Sequence, residues 1–158
     1  MQQYTFLNTR ELKAFREQVQ DAFGHFPDKE YAYVQSEKGK IFLISKDLAR
    51  IDVEKLRIDR IGFYFAEIYT QQVRLSKEGA QLLFLDAQRR KKKLKNVVLL
   101  TIGEVQQYFA GRTLERDLPG ETRFVILQYG HEVLGCALYK EKKIHNYLPK
   151  EYRREVIL

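Results

Sequence analysis

Apolar and polar positions follow two rhythms along this chain. Leu12, Phe15, Val19, Ala22 and Phe23 recur three or four apart, which is the spacing of one helix face. Asn8 or Thr9 supplies an N-cap, and Glu11, three after Asn8, completes a capping box. Gly24 predicts the stop. The rhythm then shortens. Tyr31–Val34 and Lys40–Ser45 predict two strands joined by the turn Ser36-Glu37-Lys38-Gly39. Ser45-Lys46-Asp47-Leu48 predicts a short helix through Ile51. Ile61–Phe65 and Gln72–Leu75 predict further strands. Ser76-Lys77-Glu78-Gly79-Ala80 caps a helix carrying Leu82, Leu83 and Leu85.

In the last third, an apolar run from Val97 to Leu100 leads into a helix capped by Thr101, with Glu104 completing a second box. Val105, Tyr108 and Phe109 form its inner stripe and Gly111 ends it. Arg112–Gly120 reads as an irregular link. Phe124–Leu127 and Val133–Tyr139 are nearly continuous apolar strands around the turn Tyr129-Gly130-His131-Glu132. Gly135, inside the second strand, marks a bulge or a close backbone approach. A basic segment follows, closed by Asn146-Tyr147-Leu148-Pro149-Lys150.

Between the halves runs Arg89-Arg90-Lys91-Lys92-Lys93-Leu94-Lys95, which has no apolar period. The domain boundary is placed there. Residues 1–88 form a first α+β unit and residues 89–158 a second, β-barrel-like one. The fold class is α+β.

Charge adds a partner class. The 158 residues carry a net charge of +7, which favours polyanions, either nucleic acid or an anionic membrane face. With 44% hydrophobic and 13% aromatic residues the composition supports a packed core. No stretch approaches the roughly 18 apolar residues of a membrane span, and the N-terminus has no leader pattern. These features point to a cytoplasmic protein. The single cysteine, Cys136, excludes an internal disulfide and a cysteine metal cluster.

Candidate chemistry is sparse. Cys136 lies in an apolar strand, where burial raises a thiol pKa and quenches it. His25, His131 and His145 share no metal-ligand spacing. Asp47 with Asp52, and Glu67 with Glu78, form no convincing acid/base pair. No phosphate-cradling glycine motif occurs. No cofactor is expected. The basic segments offer more. Arg89, Arg90, Lys91, Lys92, Lys93 and Lys95 read either as a solvated helix end facing the negative helix pole or as a phosphate-contacting strip. Lys140, Lys142, Lys143, Lys150, Arg153 and Arg154 bracket His145, Asn146 and Tyr147. The lysines read as phosphate contacts or as charges that protect a strand edge. Asn146 suits a base edge or a 2′-hydroxyl, and Tyr147 an unpaired base. Equally, Tyr147 suits a packing ring, and Asn146 with Pro149 a turn.

Ala110-Gly111-Arg112-Thr113-Leu114, Phe124–Gly130 and Leu134-Gly135, in their order of strand, capped helix and strand pair, resemble a PUA domain. The ending Lys143-Ile144-His145-Asn146-Tyr147-Leu148-Pro149-Lys150-Glu151-Tyr152-Arg153-Arg154 resembles more narrowly the PUA-like tail of rRNA cytosine-5 methyltransferases. Asn8–Leu12, Gly62–Phe65 and Arg74–Ala80 resemble what precedes that tail, a layout shared with small ribosome-assembly proteins. The chain departs from the tail in lacking a Trp near the start of the Phe124 strand, and the catalytic domain of those enzymes is absent. The resemblance implies a PUA-like pseudo-barrel with a short helix, preceded by a pre-PUA unit. It implies binding of structured RNA (rRNA or tRNA), with Arg112 and the basic residues above as contacts, in RNA modification or ribosome biogenesis, without catalysis. Two rivals stand beside it. One is an adaptor that docks an RNA-modifying enzyme or a ribosome-assembly factor. The other is a small RNA-processing enzyme.

Overall fold

The computed structural model describes residues 3–27, 31–44, 62–69, 72–148 and 150. The short helix expected from Ser45-Lys46-Asp47-Leu48 through Ile51, together with Ile61, Pro149, Arg153 and Arg154, lies outside them.

The front half is an antiparallel meander, β1 (Tyr4–Phe6), β2 (Ala32–Ser36), β3 (Lys40–Ile44), β4 (Phe63–Tyr69) and β5 (Gln72–Leu75), paired in chain order. Helix α1 (Thr9–Phe23) is inserted after β1. Its capping box is present: the Asn8 side chain accepts from the Glu11 amide at 2.8 Å, and the Glu11 carboxylate accepts from the Asn8 amide at 3.1 Å. Gly24, at φ 85°, gives the left-handed stop. Phe15, Val19 and Phe23 are its buried stripe.

Helix α2 (Lys77–Arg89) follows β5. Ser76 Oγ accepts the Gly79 amide at 2.8 Å and donates to the Tyr64 carbonyl at 2.6 Å, which ties the helix start to β4. Gly79 permits that approach, since a Cβ there would stand 2.0 Å from the Phe65 carbonyl oxygen.

The back half comprises β6 (Val97–Leu99), α3 (Ile102–Phe109), β7 (Leu114–Glu115), β8 (Arg123–Tyr129), β9 (Glu132–Lys140) and β10 (Lys143–His145). The sheet order is β6-β8-β9-β10-β7, with β6 parallel to β8 and the other pairs antiparallel. The sheet curls into a half-barrel whose two edges are β6 and β7. Arg116, just past β7, spans them. Its guanidinium donates to the Leu99 carbonyl at 3.2 Å and to the Glu104 carboxylate at 2.8 Å. The stretch read as an irregular link thus contains both an edge strand and the side chain that bridges the opening.

Strands β8 and β9 are covered on both faces, which explains their nearly unbroken apolar runs. Val125, Leu127, Ala137 and Tyr139 face the half-barrel interior with Val105, Tyr108, Leu114 and Ile144. Phe124, Ile126, Val133 and Cys136 face outward into one core with Phe15, Phe23, Phe65 and Leu83. Gly135 shows the close approach expected: a Cβ there would stand 2.8 Å from the Tyr108 hydroxyl. The bulge is beside it, because Leu127 pairs with Gly135 and Gln128 with Val133, leaving Leu134 unopposed.

Candidate nucleic-acid interface

The basic run is an exposed connection rather than a loose linker. Arg89 ends α2 and its guanidinium reaches Asp86 at 3.3 Å. Lys91 takes a left-handed φ of 55°, which turns the chain back toward β6. The Lys95 amide donates to the Phe23 carbonyl at 2.7 Å, and Asn96 Nδ2 donates to the Ala22 carbonyl at 2.6 Å. Lys92 and Lys93 stand over a groove of about 460 Å³ whose apolar lining includes Phe84, Leu94, Val97 and Leu99.

Asn96 also turns the other way. Its Oδ1 accepts from Arg123 Nε at 2.9 Å, and the Arg123 guanidinium lies 5.2 Å over the Tyr139 ring. Arg123 opposes Tyr139 across β8 and β9, and Lys140 opposes Lys143 across β9 and β10. Because β6 runs parallel to β8, the starts of both strands and the β9–β10 turn share one end of the sheet. Lys95, Arg123, Lys140 and Lys143 therefore lie along that end, although 48 positions separate the first from the last. Sequence reading passed over Arg123. Its one signal was a cation at the mouth of an apolar strand.

The β9–β10 turn is tight. Glu141 and Lys142 both have positive φ, 53° and 60°, the signature of a type I′ hairpin that normally uses Asn-Gly. Lys142 stands 3.9 Å from Asp117, with both side chains largely in water. In contrast, Lys91, Lys92, Lys93, Lys95, Lys140 and Lys143 form no ion pair among the described residues.

Beyond β10 the chain leaves that end of the sheet. Asn146 is engaged internally. Its Nδ2 donates to the Tyr108 carbonyl at 2.7 Å and the Arg112 carbonyl at 3.0 Å, while Oδ1 accepts the Leu148 amide at 2.8 Å. This is the turn-forming alternative for Asn146. Tyr147 meets Arg74, whose guanidinium lies 4.6 Å over its ring. Arg112 and Lys150 are exposed and His145 is half-buried. The tail motif thus divides, with Lys140, Lys142 and Lys143 beside Arg123 and the residues from Asn146 onward beside α3 and β5.

The polar groups offer little reaction chemistry. Burial pushes the Cys136 thiol up to about 12, where almost no thiolate exists near neutrality. Among the described residues no group of three His, Cys, Asp or Glu side chains is placed to hold a metal ion. Sequence reading missed the buried pair of His25 and Asp86, whose Nε2 and Oδ2 are 2.7 Å apart. The available signal was an acidic residue on the apolar face of α2, next to Leu83 and Ala87. No helix among the described residues is long and apolar enough to cross a membrane.

Comparison with known proteins bears on this arrangement. Residues 95–154 match the family described as the methyltransferase RsmF PUA domain. Ribosomal RNA small subunit methyltransferase F of Aeromonas hydrophila is 28% identical over 149 residues, which is 94% of this chain and 29% of that protein. The enzyme of the same name from Serratia proteamaculans is 29% identical over 119 residues, 75% of this chain and 23% of that one. The chain thus spans less than a third of the length of these relatives. The crystal structure of a PUA domain from Aeropyrum pernix K1, a tartrate complex, superposes with a TM-score of 0.51 at 14% identity, covering 97% of this chain and 79% of that one. The α+β fold with its curled second sheet is accordingly similar to that PUA structure, and residues 95–154 resemble the PUA domain of these ribosomal RNA methyltransferases.

Proposed function

We propose that this chain binds structured RNA, ribosomal RNA before transfer RNA, in RNA modification, and that its own residues supply binding rather than catalysis. The observation that carries this reading is the meeting of two distant basic segments at one end of the half-barrel. Asn96 holds Arg123 at 2.9 Å between Lys95 and the Lys140–Lys143 hairpin. Cations fixed on a rigid sheet end neutralise phosphates without first being ordered. The exposed lysines of residues 91–93 extend the track along the β6 edge. Such a surface reads backbone shape rather than base sequence. The family match to an rRNA methyltransferase PUA domain favours ribosomal RNA as the target.

The test is fluorescence anisotropy with fragments of small-subunit rRNA and with tRNA, from about 50 to 200 mM salt. Log affinity should fall linearly with log salt, with tighter binding to rRNA. An affinity that is independent of salt overturns the reading. Retention of a protein partner after nuclease treatment, without RNA binding by the purified chain, would favour the adaptor instead.

A further inference from the structure

The groove of about 460 Å³ under Lys92 and Lys93 is more than a row of phosphate contacts needs. Its volume falls within the roughly 300–1,000 Å³ of sites that hold small organic groups, and it shares their make-up, an apolar lining with a few polar groups. Phe84 from α2, Leu94 before β6, and Val97 and Leu99 on β6 supply the apolar wall. Leu99 is 63% exposed, so that wall continues outward to the surface. No carboxylate among the described residues lines the groove, and both of its charged side chains are cations. An apolar wall under two cations suits a flat ring carried on an anionic chain, and the groove adjoins the basic track that meets such a chain.

Two side-chain amides share the lining. Gln88, exposed in the last turn of α2, makes no side-chain hydrogen bond among the described residues. A free carboxamide offers one donor and one acceptor side by side, the match for adenine N7 and N6. Gln128 donates from Nε2 to the Gly130 carbonyl at 2.8 Å, which leaves its Oε1 as a further acceptor. Uracil has no amino group to offer these acceptors. A peptide strand added to the edge of β6 fits less well. The Leu100 amide and the Asn96 carbonyl bond to β8, so the Leu99 carbonyl points to the free edge, and Arg116 already occupies it at 3.2 Å.

We propose that, with RNA held on the basic track, this groove takes one unpaired adenine of that RNA. The base lies against Phe84 and the β6 wall, Gln88 bonds its N6 and N7 edge, and Lys92 and Lys93 hold the flanking phosphates. This inference rests on the RNA-binding reading and adds a base-specific contact to a track that otherwise follows backbone shape. Stacking on an aromatic ring needs an unstacked base, so the nucleotide comes from a bulge, a loop or a single strand.

The test uses the full chain and RNA hairpins that differ at a single bulged nucleotide, which is adenosine, uridine or an abasic residue. The three carry equal charge, so the track contributes equally to each. Anisotropy should show the adenosine hairpin binding on the order of tenfold tighter than the abasic one. It should also exceed the uridine hairpin by a similar factor. Phe84→Leu keeps apolar bulk against the front core and removes the ring, so the preference for a base over the abasic residue should fall several-fold. Gln88→Leu, at an exposed position, should abolish the preference for adenosine over uridine without lowering the melting temperature. Neither variant should change the slope of log affinity against log salt, which loss of a phosphate contact would lower. Equal affinity for the three hairpins, with the salt slope intact, overturns the base site and leaves the RNA track standing. Failure of every hairpin to bind overturns both. Displacement of RNA by a peptide alternating Glu and Leu, with no response of the hairpins to Phe84→Leu, assigns the groove to a protein partner and overturns the proposal.

Discussion

Replacing Lys92, Lys93 and Lys95 together with Ala tests the RNA surface most directly. All three side chains are exposed, and none forms an ion pair among the described residues. Their removal therefore leaves no carboxylate stranded. The Lys95 amide keeps its 2.7 Å bond to the Phe23 carbonyl, because that contact is made by the backbone. Thermal stability should stay within the error of measurement. The electrostatic effect is calculable. Each phosphate contact contributes about 0.7 to the slope of log affinity against log salt on single strands and about 0.9 on duplexes. Three lost contacts lower the slope by about 2 to 3 units. Over a fourfold rise in salt, wild type should lose roughly 20- to 40-fold more affinity than the variant. Anisotropy titrations at four or five salt concentrations measure this. A variant slope within about half a unit of wild type, with the melting curve intact, would refute the assignment of this connection to the phosphate track.

The other predictions concern the frame that presents the track. Lys140→Ala with Lys143→Ala should lower the same slope by a further 1.5 to 2 units or so, measured in the triple-variant background; no additional loss would place the hairpin off the track. Gly79→Ala should destabilise by about 1–3 kcal/mol in urea titrations, although alanine is the better helix former, because its Cβ would stand 2.0 Å from the Phe65 oxygen. Glu141→Asn with Lys142→Gly should stabilise by about 1 kcal/mol, since both residues sit at positive φ in the turn. Burial alone would raise the Glu104 carboxyl, but the Thr101 amide and Arg116 hold it below the usual carboxylate range. Its stabilising contribution is therefore complete above the unfolded value of about 4.3 and lost as pH falls through the folded one. Arg116→Ala should shift that acid loss to higher pH in denaturation midpoints taken from pH 3 to 6.

Much of the frame is legible in residue order because it depends on local chemistry. Asn8 with Glu11, Ser76 with Gly79, and Thr101 with Glu104 are contacts three residues apart, so the helix starts can be read directly. The site is less legible because it depends on register. Nothing in residues 89–95 or 140–143 states that β6 lies parallel to β8, yet that pairing brings the two segments to one sheet end. Arg123 passed unnoticed because its partners, Asn96 and Tyr139, are 27 and 16 positions away. The tail motif reads as one strip in sequence. It divides in space because β10 reverses at a two-residue turn, and Asn146 then ties the chain to α3. Strands β1, β7 and β10 are two or three residues long, too short to show a period.

Asn96 also bears on why a basic connection does not behave as a hinge. A linker between independent bodies leaves its backbone polar groups to water. Here the Lys95 amide and the Asn96 side chain are hydrogen-bonded to the end of α1, and the Asn96 carbonyl accepts the Ile126 amide at 2.8 Å. The apolar outer face of β8 and β9 adds Phe124, Ile126, Val133 and Cys136 to the core built on Phe15 and Phe65. Swinging one half against the other would expose that face and break these bonds together. Two positive segments are kept in fixed register only if the connection between the halves is itself fixed. A polyanion then meets charges already positioned, and the ordering cost of holding them has been met in folding rather than in binding.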